Sequence, residues 1–244
     1  MFRKQTLVAI ATATLALSAA TTSHATLIEV EFQGFESGAR GGRVFGPDGN
    51  GQQRRVAAGQ FNFDVINDPS NDFAGSQMLA FCIDITNWLV TNRPVTYDFN
   101  VAGSTGYLDG QQLANVSWLY DNYADTLGSA TQDAAFQLAL WEIVHDGAAG
   151  FSLFNGAGAG ELWASGFGGA RNIAESWLSA LTLASPTAGY TSSLFDLYVL
   201  LPDNPTTNQT LIVARRISEP AVLTLFGLGL IGIGVSRVRR HTAA

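Results

Sequence analysis

Cysteine occurs once in these 244 residues, at Cys82, so no intramolecular disulfide can form. Histidine occurs three times, at His24, His145 and His241, and only His145 lies between residues 26 and 220. A single histidine excludes multi-histidine metal sites and the zinc-hydrolase motifs, and the G-x-S-x-G elbow of serine hydrolases does not occur. Lysine is reduced to Lys4. Between Thr26 and Pro220, eight arginines face all 20 acidic residues, a formal charge of −12. A domain of that charge with no long basic run is a poor partner for nucleic acid or an anionic membrane.

Two other leads are weak. "GPDGNGQ" (46–52) sets Asp48 and Asn50 at calcium-loop spacing, but no bidentate glutamate follows, and a glycine-rich turn explains it. Asp84, Asp98, Asp109 and Glu142 contain no spacing that selects a glycosidase pair. No cofactor and no metal are expected.

The chain ends are informative. Residues 1–25 join a basic start (Arg3, Lys4) to an apolar run and a Ser23-His24-Ala25 end, the pattern of a signal peptide cleaved after Ala25. Export is therefore expected. At the other end, Ala221–Val235 is uncharged, contains four glycines and is followed by Arg237, Arg239 and Arg240, which would hold that end in the cytoplasm. The span is short for a transmembrane helix of roughly 17–25 residues. Ser218–Arg240 resembles the PEP-CTERM sorting signal of Gram-negative bacteria, with Ser218 in place of the first proline. That resemblance implies a short membrane-tethered intermediate, processing by an exosortase and release to the cell surface or extracellular matrix. The domains expected are 1–25, signal peptide; 26–216, extracellular domain; 217–244, sorting segment.

Within the domain, alternating apolar and polar residues predict strands at 27–32, 60–66, 95–101, 194–201 and 209–214. Helical spacing marks Val116–Tyr123, Ala134–His145 and Ile173–Leu181. The fold class expected is α+β, with barrel- or sandwich-like strands at both ends of the domain and a helical subdomain between. Glycine-rich 34–59 and 147–170 read as surface loops.

Cys82 sits in "LAFCIDIT" (79–86). Alternation puts Leu79, Phe81, Ile83 and Ile85 on one face, so Cys82 is expected to point away from the more apolar side. "AAFQLALWEIVHD" (134–146) is apolar nearly all round apart from Glu142, so it reads as a buried helix carrying Gln137 inward. A buried amide must have its hydrogen bonds met or its carbonyl otherwise engaged.

"FCID" (81–84) and "FQLALW" (136–141), in that order, resemble the paired motifs of bacterial thioester domains of surface adhesins. Phe136 stands where many members carry threonine. "YVLLPDNPTTNQTLIV" (198–213) is similar to the closing strand pair of that family. The resemblance implies a Cys82–Gln137 thioester supported by Phe81 and Trp141. A partner's amine or hydroxyl, on a surface protein or glycan, would open it in a single turnover, without an enzyme's cycle. A mature domain without lysine could not couple to itself through ε-amines; a genome that prefers arginine explains the same count. Two alternatives stay open: a non-covalent structural or interaction protein of the exopolysaccharide matrix on the same fold, and an exported glycan-active enzyme.

Overall fold

The computed structural model describes residues 26–46, 53–69, 73, 77–146, 150–154 and 160–217. The expected leader, the sorting segment beyond Ile217 and the Asp48–Asn50 turn lie outside the described residues. Among the described residues no helix is long and apolar enough to cross a membrane.

Along the chain run β1 (Thr26–Phe35), β2 (Arg40–Phe45), β3 (Gln53–Ala58), β4 (Phe61–Asn67), β5 (Gln77–Cys82), β6 (Val95–Val101), α1 (Gly110–Tyr123), α2 (Ala130–His145), β7 (Trp163–Gly166), α3 (Ala170–Ala184), β8 (Phe195–Pro202) and β9 (Leu211–Arg216). Six strands close an antiparallel barrel in the order β1-β4-β5-β9-β8-β6, and β3-β2-β7 form a second sheet. Alternation explains the barrel strands: in β6, Tyr97 and Phe99 are buried while Asp98 and Asn100 are half-buried. Strands thus lie at both ends of the domain with helices between, as expected, except that β7 interrupts the helices. The strand pair expected from 198–213 is present, β8 against β9 in antiparallel register from Phe195↔Arg216 to Leu200↔Leu211.

The two stretches read as surface loops are not simply loops: 34–59 contains β2 and β3, and 147–170 contains β7. These strands bury one face only, through Val44, Ala58 and Ala164, and elsewhere mix arginine, glycine and glutamine with Phe45, Ala57, Ser165 and Trp163. The period-2 signal is diluted below recognition.

Helix α1 starts with a capping box, in which the Asp109 side chain accepts from the Gln112 N–H and the Gln112 side chain accepts from the Asp109 N–H. Helix α2 is capped by Ser129, whose Oγ accepts from the Gln132 N–H, and every residue from Asp133 to Val144 is buried. It therefore lies between barrel, second sheet and α3, covered on all sides. Phe136 is its aromatic hub, 4.9 Å from Phe81, 4.8 Å from Tyr120 and 6.3 Å from Trp177 between ring centroids. A threonine there would forfeit most of these contacts.

Candidate functional site

The site starts where β5 runs out of partners. Ala80 pairs with Phe61, the first residue of β4, so β4 supplies no partner for Cys82 two residues later. Toward β9 the pairing continues, with Cys82 opposite Leu211 and the Ile83 N–H donating to Thr210 O. On the β4 side, the N–H and C=O of Cys82 would be orphaned in the core. Gln137 of α2 takes that place. Its Oε1 accepts from the Cys82 N–H at 3.0 Å, and its Nε2 donates to Cys82 O at 2.6 Å. Cys82 is fully buried and Gln137 is 1% exposed. The buried amide expected on α2 is thus present, and it is seated on the backbone of the cysteine.

Cys82 does not point away from the apolar side, because no open side exists: Phe81, Cys82 and Ile83 are all buried, while Leu79 is the exposed member. Helix α2 covers one flank and the barrel interior the other. The strand also stops at Cys82, because Asp84 folds the chain into a turn. Asp84 Oδ1 accepts from the Thr86 N–H and Oγ1 and from the Asn87 N–H, and Oδ2 accepts from Asn87 Nδ2. Burial works against the Asp84 carboxylate, yet these donors hold its pKa below the usual value.

The Cys82 thiol donates to Asp84 O at 2.7 Å, and Sγ accepts from the Asp84 N–H at 3.3 Å. Burial pushes its pKa up to about 12. The Asp84 backbone and the Trp141 indole oppose that rise, and the Asp84 charge adds to it. Trp141 is buried, and among the described residues its indole N–H makes no hydrogen bond of ordinary geometry, although it lies near enough to the sulfur to favour the thiolate. His145, at the end of α2, brings Nε2 to 2.9 Å from Ile83 O, a contact that makes Nε2 the donor. Burial lowers its pKa. A cavity of about 200 Å3 opens over Trp141, walled by Phe32, Phe61, Val56, Trp88 and Gln209. Among the described residues the buried Oε1 of Gln209 has no partner.

Of the expected site residues, Cys82, Gln137, Phe81 and Trp141 therefore stand together. Of the carboxylates weighed for glycoside chemistry, Asp109 caps α1, Asp84 builds the turn and Asp98 is half-buried on β6. Glu142 was legible only as an interruption of an apolar helix. It is buried beside Asp146 and Glu175, and the three anchor the following loop. The Ser152 N–H donates to Glu142, Ser152 Oγ and the Leu153 N–H donate to Glu175, and the Glu161 and Leu162 N–H groups donate to Asp146. Burial, then the neighbouring charges, raise the Glu142 pKa to about 8. Among the described residues no cluster of histidine, cysteine and carboxylate side chains could hold a metal ion.

No protein-family model matches the chain, and no curated protein matches it. Solved structures do. The N-terminal thioester domain of a surface protein from Clostridium perfringens shares 14% identity at TM-score 0.41, over 73% of this chain and 99% of that one. The N-terminal domain of the Streptococcus pyogenes pilus tip adhesin Cpa shares 12% at TM-score 0.43, over 77% and 98%. The N-terminal thioester domain of the fibronectin-binding protein SfbI from S. pyogenes shares 12% at TM-score 0.41, over 65% and 87%. Two of the three are thioester domains of surface proteins.

Proposed function

We propose that this is an exported cell-surface or matrix protein that binds its partner covalently through a Cys82–Gln137 thioester. The observation that carries the reading is the seating of the Gln137 carboxamide on the Cys82 backbone. Attack of the Cys82 sulfur on the Gln137 acyl carbon forms the S–C bond and breaks the C–N bond, and the thiol proton leaves with ammonia. Charge developing on Oε1 meets the Cys82 N–H already aimed at it, the arrangement that stabilises an oxyanion. A partner's amine or hydroxyl, entering through the cavity over Trp141, then attacks the acyl carbon. Cys82 regains its proton, and the partner stays bonded to Gln137. Phe81 holds α2 in register through Phe136, and Trp141 covers the sulfur. Signal peptidase and an exosortase would process the two ends, with the C-terminal helix as a transient membrane tether.

A second reading keeps the fold and drops the bond: a non-covalent matrix protein in which Gln137 simply completes the sheet. The high pKa of the thiol favours it. Intact mass before and after methylamine separates the two. A mass short by one ammonia, converted to a methylamine adduct on Gln137 with a newly titratable thiol, supports the covalent reading. The full mass with no adduct refutes it.

A further inference from the structure

The three-stranded sheet carries a second, separate feature. Residues opposite one another on neighbouring strands share a face. The register therefore lays Arg55, Arg43 and Ser165 in one row, and Gln53, Phe45 and Trp163 in the next. The other face is the buried one, through Val44, Ala58 and Ala164. Arg43 and Arg55 are exposed and directly opposite, an arrangement that destabilises a sheet unless something neutralises it. Among the described residues no carboxylate contacts either one, and Arg43 takes the amide oxygen of Gln53. Four of the eight arginines between residues 26 and 220, Arg40, Arg43, Arg54 and Arg55, fall on β2 and β3, in a domain otherwise strongly acidic.

The two guanidinium groups border a groove of about 510 Å3 whose floor is Gly41, Gly42 and Gly166, with Ser165 at its side. A side chain on Gly41 would meet nothing within 4 Å, so the groove is open there. At its end Phe45 and Trp163 stack at 3.5 Å with planes 4° apart. The volume lies within the range of roughly 300–1,000 Å3 typical of small-ligand sites. Paired arginines match a carboxylate with bidentate hydrogen bonds. Ser165 and Gln53 offer partners for hydroxyls, and the aromatic pair offers a flat apolar surface. Carboxylate, hydroxyls and a flat ring edge occur together in a uronic acid.

We infer that the outer face of β3-β2-β7 binds an acidic, uronate-bearing polysaccharide, with Arg43 and Arg55 sharing its carboxylates. An acidic peptide would leave the hydroxyl partners idle and finds no apolar pocket on this face. A nucleic acid needs a basic groove that tracks its backbone, and this row offers a single arginine pair. The site is independent of Cys82.

The test is calorimetric titration of the full-length protein with polygalacturonate, beside dextran, poly-glutamate and oligothymidylate. Arg43→Gln and Arg55→Gln should each weaken polygalacturonate binding about tenfold, the loss expected for one charge-assisted hydrogen-bonding group. Each should leave Tm unchanged or raised, because a like-charge pair is relieved. Gly41→Val should abolish binding by filling the groove, again without loss of Tm. Cys82→Ala should bind as wild type. Equal affinity for dextran, for poly-glutamate or for oligothymidylate would overturn the assignment, as would wild-type binding by the two arginine variants and Gly41→Val.

Discussion

Stability can distinguish the covalent from the non-covalent site, because the two predict very different costs for one small substitution. Cys82→Ala removes a single buried sulfur, worth about 1 kcal/mol by apolar burial. If a thioester joins Cys82 to Gln137, the same substitution also opens a crosslink between residues 55 positions apart. Closing a loop of that length restricts the unfolded chain by about 4 kcal/mol at 25 °C. Cys82→Ala should then cost about 5 kcal/mol in total. Gln137→Ala made in the Cys82→Ala background isolates the hydrogen bonds, since no crosslink is left to lose. It orphans the N–H and C=O of residue 82 in the core, each at about 1–3 kcal/mol, so a further 2–6 kcal/mol or so is expected. Gln137→Glu in that background should be rescued by acid. A protonated carboxyl can both accept from the N–H and donate to the C=O, whereas the carboxylate cannot. Its folded pKa is raised above the unfolded value of about 4.3, so its contribution is complete below that pH and is lost as pH rises through the folded pKa. Urea unfolding followed by far-ultraviolet circular dichroism measures all four proteins. A loss of only about 1 kcal/mol for Cys82→Ala would exclude the crosslink. A loss under about 1 kcal/mol for Gln137→Ala in the Cys82→Ala background would refute the assigned role of the amide.

Two further predictions concern the scaffold. Glu142 has its pKa raised from 4.5 to about 8, so its contribution to stability is complete below pH 4.5 and is lost as pH rises through 8. At about 1.4 kcal/mol per tenfold change in proton affinity, that loss is at most roughly 5 kcal/mol; Glu142→Gln should flatten the urea midpoint between pH 5 and about 8, and an unchanged slope would exonerate Glu142. Gly42→Ala would drive its Cβ into the ring of Phe167, which is fully buried and held at a left-handed φ of 62°. Overpacking of this kind costs about 1–3 kcal/mol, so a fall in Tm is expected for Gly42→Ala but not for Gly41→Ala, where the space is open.

The barrel was legible because its strands have one side in the core and one toward solvent. Residues 95–101 coincide with β6, and 60–66 differs from β4 by one position at each end. Helix α2 was legible for the opposite reason, being apolar on every side. What the pattern could not reveal were strands such as β2, where Gly41, Gly42 and Arg43 alternate with nothing and only the register to β3 and β7 makes them a sheet. The Cys82–Gln137 pairing was accessible only as a resemblance between two short motifs. Their actual relation depends on β4 starting at Phe61, one pair too late to serve Cys82, and no local pattern in either motif carries that. The Glu142, Asp146 and Glu175 anchor was illegible because its partners are backbone amides of a glycine-rich segment, which have no signature in side-chain sequence.

A thiol with a pKa near 12 looks like a poor starting point for a nucleophile. The difficulty lies in the charged state alone. Burial penalises the thiolate, but the thioester is neutral, so the same burial places no penalty on the product. Formation needs to succeed only once per molecule, and Trp141 and the Asp84 backbone already lean toward the thiolate. In a thioester formed there, the same environment would exclude water, since hydroxide would meet the same desolvation barrier at a site of zero exposure. A neutral amine arriving through the apolar cavity over Trp141 sheds less solvation than an anion does. On the covalent reading, the surroundings of Cys82 would thus disfavour hydrolysis and formation alike, and leave aminolysis as the least obstructed of the three steps.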